Sequence, residues 1–278
     1  MPKIPRFRLA VPTLRLCQLG LLLLLLVACG EPVSTPEPVF LQAAGSTAMS
    51  PLVSELAAAF DASFPSISLD VTDGGTQFGL DALRAGEVDL ALASSLPAEL
   101  DSGLRATAIA RDGIAIIVHP TNPVDGLGLL QLQDLFGGRI YEWQGVGGQP
   151  AQGIIQPVSR EMGSGTRAAF EAMVMGDRAV TSLAIVAPSS QAVVDYVAEH
   201  PDAIGYVSMA YASSEVKMLK VEGELPTPQS SGQGSYPLTR ELWLISSDPP
   251  SSAVQQFLRF VLQAVGQQIV GRSYGRIR

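Results

Sequence analysis

The chain is 278 residues long, 47% hydrophobic, and carries a formal net charge of −8. No cluster of Lys and Arg follows Arg15, which excludes a nucleic-acid-binding protein because such a protein needs a basic face. Two cysteines, Cys17 and Cys29, offer no disulfide framework, so the fold must rest on a core large enough for one big domain or two medium ones.

At the N-terminus, Lys3, Arg6, Arg8 and Arg15 precede the first acidic residue, Glu31, and Leu19 to Ala28 is apolar apart from Gly20. This is the charged region and short apolar region of a secretory signal, predicted over residues 1–28. Its run of about ten apolar residues is too short to cross a bilayer, which takes ~20. Leu26-Val27-Ala28-Cys29 matches the lipobox of bacterial lipoproteins, in which the cysteine is lipidated and becomes the first residue. Cleavage there removes four positive charges and no negative one, taking the formal charge from −8 to −12. Residues 29–38, with Pro32, Pro36 and Pro38, read as an extended tether. The expected product is exported and lipid-anchored to the cell membrane, facing a periplasm or the exterior.

Beyond the tether, strand candidates alternate with helical patterns. Val39 to Ala43 leads through Gly45-Ser46-Thr47 into a helix with Leu52, Val53, Leu56, Ala57 and Phe60 on one face. Ile67, Leu69 and Val71 alternate as a strand, and Asp73 to Gly79 reads as a tight turn before a short helix from Leu80 to Ala85. Val88 to Ala93 delivers Ser94 and Ser95 to a strand end, and Arg111 to Pro120 is a buried strand closed by proline. Then come a helix from Leu129 to Phe136, a strand from Ile154 to Val158, a helix from Gln191 to Glu199 and a strand from Ile204 to Val207. A last strand, Glu241 to Ser246, and an amphipathic helix, Ala253 to Ala264, complete the α/β pattern.

The most informative stretch is Arg160 to Arg167, Arg-Glu-Met-Gly-Ser-Gly-Thr-Arg, between the strand at Val158 and the helical pattern from Ala168 to Val174. A glycine-rich turn opening a helix leaves first-turn N–H groups free and places partial positive charge there, which suits an anion. Ser164 and Thr166 add hydroxyls, and Arg160 adds a planar fork of donors for a tetrahedral oxyanion. The plainer reading makes Ser164 a helix cap and the glycines mere backbone relief. Four hydroxyl-bearing turns, at 45–48, 74–79, 94–95 and 160–166, all follow strand candidates, where ligands of open α/β sheets collect.

Enzyme readings find less support. Gly163-Ser164-Gly165-Thr166-Arg167-Ala168 fits a dinucleotide-binding pattern, but no acidic residue closes a second strand about 20 residues on. Ser164 is not in a GxSxG elbow, and the two histidines, His119 and His200, each precede a proline in loop-like context. No His/Cys/Asp cluster has metal-ligand spacing. A non-enzyme without cofactor or metal is expected.

In these turns the sequence resembles the phosphate-binding receptors of bacterial phosphate ABC importers, over roughly Leu41 to Val270. Gly45-Ser46-Thr47 before Pro51-Leu52, Gly74-Gly75-Thr76 with Gly79, Gly86 to Asp89 with Ala93-Ser94, and Arg160 with Gly163 to Thr166 carry the likeness. Asn122-Pro123-Val124, Ala203 to Ser208 and Tyr236-Pro237-Leu238 are also similar to phrases of that family. The resemblance implies a two-lobed type II periplasmic-binding-protein fold, each lobe a mixed, mostly parallel sheet flanked by helices and joined by two crossing strands. One lobe would comprise 39–118 and 242–278, the other 119–241. It implies a monomer that captures inorganic phosphate through hydrogen bonds and delivers it to an ABC permease, with a receptor or sensor for sulfate or molybdate as the alternative. The implied ligands are Ser46, Thr47, Ala48, Thr76, Ser94, Ser95, Arg160, Ser164, Gly165 and Thr166, with lipid on Cys29. Two positions depart from the pattern: the usual second-loop serine is Thr76, and Ser95 stands where a charged residue often follows the third-loop serine. Where that residue is aspartate, its carboxylate accepts the proton of phosphate and repels sulfate. Asp73 is the candidate replacement acceptor.

Overall fold

Apolar strands buried on both faces need helices above and below them. The computed structural model, which describes residues 1–3, 5, 37–147 and 153–277, arranges the chain in that way. Nearly all of the leader and of the tether, Cys29 included, lie outside the described residues. Strands β1 (Val39–Gly45), β2 (Ile67–Asp73) and β3 (Leu90–Ala93) are parallel, with β1 between the other two. Helices α1 (Ser50–Ser63) and α2 (Gly75–Arg84) connect them.

The long strand β4 (Leu104–Val118) links this group to a second one. Its residues from Leu104 to Gly113 pair antiparallel with β11 (Thr239–Ser247), which in turn pairs with β3. From Ile114 to Val118 it pairs instead with β8 (Ala203–Ser208), flanked by the parallel strands β6 (Gln156–Arg160) and β7 (Ile185–Ala187). The path through the described residues is therefore β2-β1-β3-β11-β4-β8-β6-β7. The short strand β9 (Lys217–Met218) adds to it on β4, while β5 (Gly126–Leu127) and β10 (Lys220–Val221) pair with each other in a separate two-stranded sheet.

Helix α3 (Leu129–Phe136) covers the second group on one side, and α4 (Gly165–Phe170) runs on into a π-helical turn, Glu171–Met175. Here Phe170 stacks on Tyr206 with ring centroids 4.0 Å apart, and Phe136 meets both. Helices α5 (Ser190–Glu199) and α6 (Pro228–Gln233) follow, then α7 (Ser252–Leu262) and α8 (Ala264–Ser273). Phe60 of α1 meets Phe257 and Phe260 of α7 edge-on at 5.2 and 5.5 Å. Each such buried ring contributes ~1.5–3 kcal/mol of transfer energy, which holds α1 and α7 together across one face of the first group.

Several sequence expectations need correction. The predicted turn at 74–79 is the first part of α2, because Gly79 serves close packing and not chain reversal. A Cβ there would lie 2.3 Å from the carbonyl oxygen of Ala44, so only glycine lets the helix approach β1. The strand expected at Ile154 to Val158 is displaced to Gln156–Arg160, which puts Arg160 itself in the sheet. The helix expected from Ala253 to Ala264 is α7 and stops at Leu262; after Gln263, whose ψ of 176 is extended, a further helix that was not expected, α8, runs from Ala264 to Ser273. Strand β7 and helix α6 were not anticipated: β7 has only three residues, and α6 is a polar Pro-Gln-Ser-Ser-Gly-Gln segment without an apolar period.

Candidate functional site

The carboxyl ends of β1, β3 and β6 bring their hydroxyl-bearing turns together. β1 ends in Ser46 and Thr47, β3 in Ser94 and Ser95, and Thr76 lies in the first turn of α2. The Ser46 and Ser94 hydroxyls share a hydrogen bond at 2.7 Å, and the backbone N–H of Ser94 donates to Thr76 Oγ1 at 3.2 Å. Gly165, which opens α4, abuts the same cluster. A Cβ on it would sit 2.3 Å from Thr76 Oγ1, 2.6 Å from Ser94 Oγ and 3.1 Å from the Ser95 nitrogen. Glycine at 165 is thus required by the approach of one turn to the other.

Arg160 is 1% exposed, and all three of its guanidinium nitrogens have partners. Nε and Nη2 donate to the two carboxylate oxygens of Glu161, each at 2.9 Å, which fixes the plane of the fork. Nη1 and Nη2 then point to Ser190 Oγ at 3.1 Å and Thr47 Oγ1 at 3.3 Å. The Arg160 backbone is held as well: its N–H donates to the Tyr206 hydroxyl at 3.3 Å, and its carbonyl accepts from Arg167 Nη1 at 2.9 Å. Burial pushes the Tyr206 hydroxyl above its ordinary range, opposed by its hydrogen bonds to Ser159 and to the Arg160 backbone.

Ser164 caps α4, its hydroxyl accepting from the backbone N–H of Arg167 at 3.3 Å, as the plainer reading had it. It is nonetheless buried beside Gly165 and Thr166 at the mouth of the cluster. The carbonyl of buried Ala48 accepts from the Tyr274 hydroxyl at 3.1 Å. Asp73, at the carboxyl end of β2 beside Gly45, is exposed, and its carboxylate accepts from the Ser50 hydroxyl, which draws it away from the role of replacement acceptor. The short side chain of Ser50, the first residue of α1, captures it.

Four participants were missed. Ser190 is fully buried, shares a hydrogen bond with Thr47 Oγ1 at 3.2 Å, and donates its own N–H to that oxygen at 3.4 Å. The signal was Ala187-Pro188-Ser189-Ser190, another strand end with hydroxyls, hidden by the shortness of β7. Arg240 and Asp112 form a buried ion pair across β11 and β4, with Nε at 3.1 Å and Nη2 at 2.8 Å from Asp112 Oδ2. Arg240 Nη1 also donates to the Ser94 carbonyl at 3.3 Å, and Ser208 donates to Asp112 Oδ1 at 2.8 Å. Burial drives the Asp112 carboxyl upward, opposed chiefly by Arg240 and then by Ser208. No sequence motif marks this pair, because its members are 128 residues apart. Tyr211 donates to the Thr47 carbonyl at 2.6 Å, and its own hydroxyl is pushed up to about 12, by burial and Asp73, against the pull of Arg160.

Buried hydroxyls, the free N–H groups of a helix start and an oriented guanidinium can hold a tetrahedral oxyanion by hydrogen bonds alone. The carboxylates of Glu161 and Asp112 are each paired with an arginine, so their charge is balanced and the cluster keeps its donor character.

A sheet-and-helix body with such a donor cluster at its strand ends defines an oxyanion-binding receptor of the periplasmic-binding-protein type. The chain belongs to the PBP superfamily, whose domain model matches residues 32–265. It is 29% identical over 239 residues to the phosphate-binding protein PstS of Bacillus subtilis (strain 168), covering 84% of this chain and 78% of that one. Among solved structures, a Clostridium perfringens protein assigned as a phosphate ABC transporter substrate-binding protein, solved with bound phosphate, is 31% identical with a TM-score of 0.81. The match covers 86% of this chain and 100% of that one. An ABC-type phosphate transport receptor from Vibrio cholerae matches at 27% identity and a TM-score of 0.70, covering 86% of this chain and 99% of that one.

Proposed function

We propose that this chain captures inorganic phosphate outside the cytoplasmic membrane and passes it to an ABC permease, working as a monomer held to the membrane by lipid on Cys29. The observation that carries the reading is that buried Ser46, Thr76 and Ser94 form one hydrogen-bonded cluster against Gly165 at the start of α4, while buried Thr47 meets the oriented Arg160. The relatives above, a phosphate-binding protein and a receptor solved with bound phosphate, support the same ligand. Residues 39–118 with 242–278 would form one lobe and 119–241 the other. Thr47 and Thr76 then face Arg160 and Gly165 across the cleft, so an anion bound between them draws the lobes together.

The energetics are sufficient. Hydrogen bonds to charged groups contribute ~1.5–3 kcal/mol each. A handful, less desolvation and closure, reaches the ~8 kcal/mol of a micromolar Kd. The acidic body repels the anion at long range, but salt limits that repulsion to about 8–10 Å.

Ser95 favours a second reading, a broader oxyanion receptor, because a hydroxyl accepts or donates and so does not discriminate against sulfate as a carboxylate would. Calorimetric titration of the protein, stripped of carried-over ligand, with phosphate and separately with sulfate decides between them. Tight phosphate binding with weak sulfate binding is expected. Equal binding makes it a general oxyanion receptor, and binding of neither refutes both.

A further inference from the structure

Thr47, Arg160 and Ser190 form a triangle in which hydrogens outnumber acceptors. Its sides are Arg160 Nη1 to Ser190 Oγ at 3.1 Å, Arg160 Nη2 to Thr47 Oγ1 at 3.3 Å, and Thr47 Oγ1 to Ser190 Oγ at 3.2 Å. The Ser190 backbone N–H adds a bond to Thr47 Oγ1 at 3.4 Å. A hydroxyl has one hydrogen to give and two lone pairs, whereas a guanidinium or backbone N–H accepts nothing. The two N–H groups fill the lone pairs of Thr47 Oγ1, so the Thr47 hydrogen goes to Ser190 Oγ. That oxygen then holds the Thr47 hydrogen and one from Arg160 Nη1, and the Ser190 hydrogen has no acceptor among the described residues. Reversing the Thr47–Ser190 bond only moves the spare hydrogen to Thr47 and puts three donors on its two lone pairs. Arg160 Nη1 likewise keeps a second hydrogen without an acceptor among the described residues. Ser190 is fully buried, so solvent does not take its hydrogen. A buried donor of this kind calls for a partner.

We propose that Ser190 is a direct ligand of the oxyanion, its hydroxyl donating beside Arg160 Nη1 to the same anion. This rests on the reading of the cluster as a phosphate site. Ser190 is not among the ligands that the family resemblance implies, yet the fold puts it in place. Register pairs Ala187 of β7 with Arg160 of β6, so the segment after β7 emerges at the same sheet end as the Arg160 turn. Helix α5 does not need the Ser190 hydroxyl, because Ser189 caps it, accepting from the Ala192 N–H at 3.0 Å. The hydroxyls of Ser46, Ser94 and Thr76 give a matching count: three hydrogens serve two links, at 2.7 and 3.5 Å, and one is left over. Both groups therefore lack the same thing, an acceptor, and an anion supplies it.

The test is calorimetric titration with inorganic phosphate of the parent, Ser190→Ala, Ser190→Cys, Thr47→Val and the double variant Thr47→Val/Ser190→Ala, with urea unfolding to confirm that each is folded. Ser190→Ala should raise the Kd about tenfold to a hundredfold, the worth of one hydrogen bond to a charged group. Ser190→Cys keeps nearly the same size but donates weakly, so it should bind about as poorly, and it carries the test if the alanine variant does not fold. In the Thr47→Val background, loss of the Ser190 hydroxyl should still cost about tenfold or more, because the hydroxyl acts on the anion itself. A Kd within about threefold of the parent in either single Ser190 variant would overturn the inference, since filling space and not donation would then be the role. An effect present in the parent but lost in the Thr47→Val background would overturn it too, because Ser190 would act only by propping Thr47. Failure of the parent to bind phosphate would instead overturn the reading on which the inference rests.

Discussion

Replacing Arg160 by alanine should separate binding from folding. In the structure Nη1 and Nη2 reach the hydroxyls of Ser190 and Thr47, and these are the nitrogens that face the donor cluster, while the Nε edge is committed to Glu161. An anion on the cluster would lose two charge-assisted hydrogen bonds at ~1.5–3 kcal/mol each, or ~3–6 kcal/mol together. That corresponds to a Kd raised by about 10²–10⁴. The cost to the fold is smaller. Ser190 and Thr47 keep each other at 3.2 Å, and Glu161, with 30% of its side chain exposed, stays partly hydrated. A stability loss of ~1–3 kcal/mol is expected, within the usual range for a single substitution. Titration calorimetry on the folded variant reads the first quantity and urea unfolding the second. Arg160→Lys should recover only part of the affinity, since an ammonium cannot hold Glu161 and two hydroxyls with one plane. A folded Arg160→Ala protein that binds phosphate within tenfold of the parent would refute the assignment.

Gly165→Ala should displace Thr76 and Ser94, because its methyl would sit 2.3 and 2.6 Å from their hydroxyl oxygens. The expected outcome is a stability loss of ~1–3 kcal/mol together with weakened phosphate binding, and a variant unchanged in both would show that the turns are not in contact. Arg240→Met leaves Asp112 buried without its cation, and urea unfolding should show a loss of ~3–5 kcal/mol, part of which Asp112→Asn in the same protein should restore. In alkali, Tyr211 ionises near 10 when unfolded but near 12 when folded. Between those values the folded state keeps a proton that the unfolded state has lost, so stability falls as pH rises from about 10 to about 12. Tyr236 and Tyr274 are shifted upward in the same direction, chiefly by burial. Tyr211→Phe should therefore shallow the fall in urea midpoints between about pH 9 and pH 11 without abolishing it, and an identical slope would mean that Tyr211 is solvated in the folded protein.

The alternation of apolar strands with amphipathic helices was legible along the chain because burial on two faces of a parallel sheet imposes it locally. So were the hydroxyl-bearing turns at Ser46, Thr76, Ser94 and Arg160 to Thr166, since glycine and hydroxyl residues at strand ends serve short-range needs of backbone freedom and capping. Those features lie within a few residues of one another, and the sequence determined them unaided.

What it could not determine is which turns meet. That Gly165 abuts Thr76 and Ser94, that Ser190 joins Thr47 and Arg160, and that Arg240 reaches Ser94 while pairing with Asp112 are contacts between residues 30 to 146 positions apart. Their energies depend on burial and distance, which only the completed sheet supplies. The same holds for Asp73 and for Gly79. A carboxylate beside a glycine turn suggested an acceptor until the start of α1 captured it, and a glycine that suggested a turn proved to be the point where a helix meets the backbone of β1. Local pattern settled the kind of element and the kind of chemistry at each strand end, and tertiary packing decided which of those ends became one site.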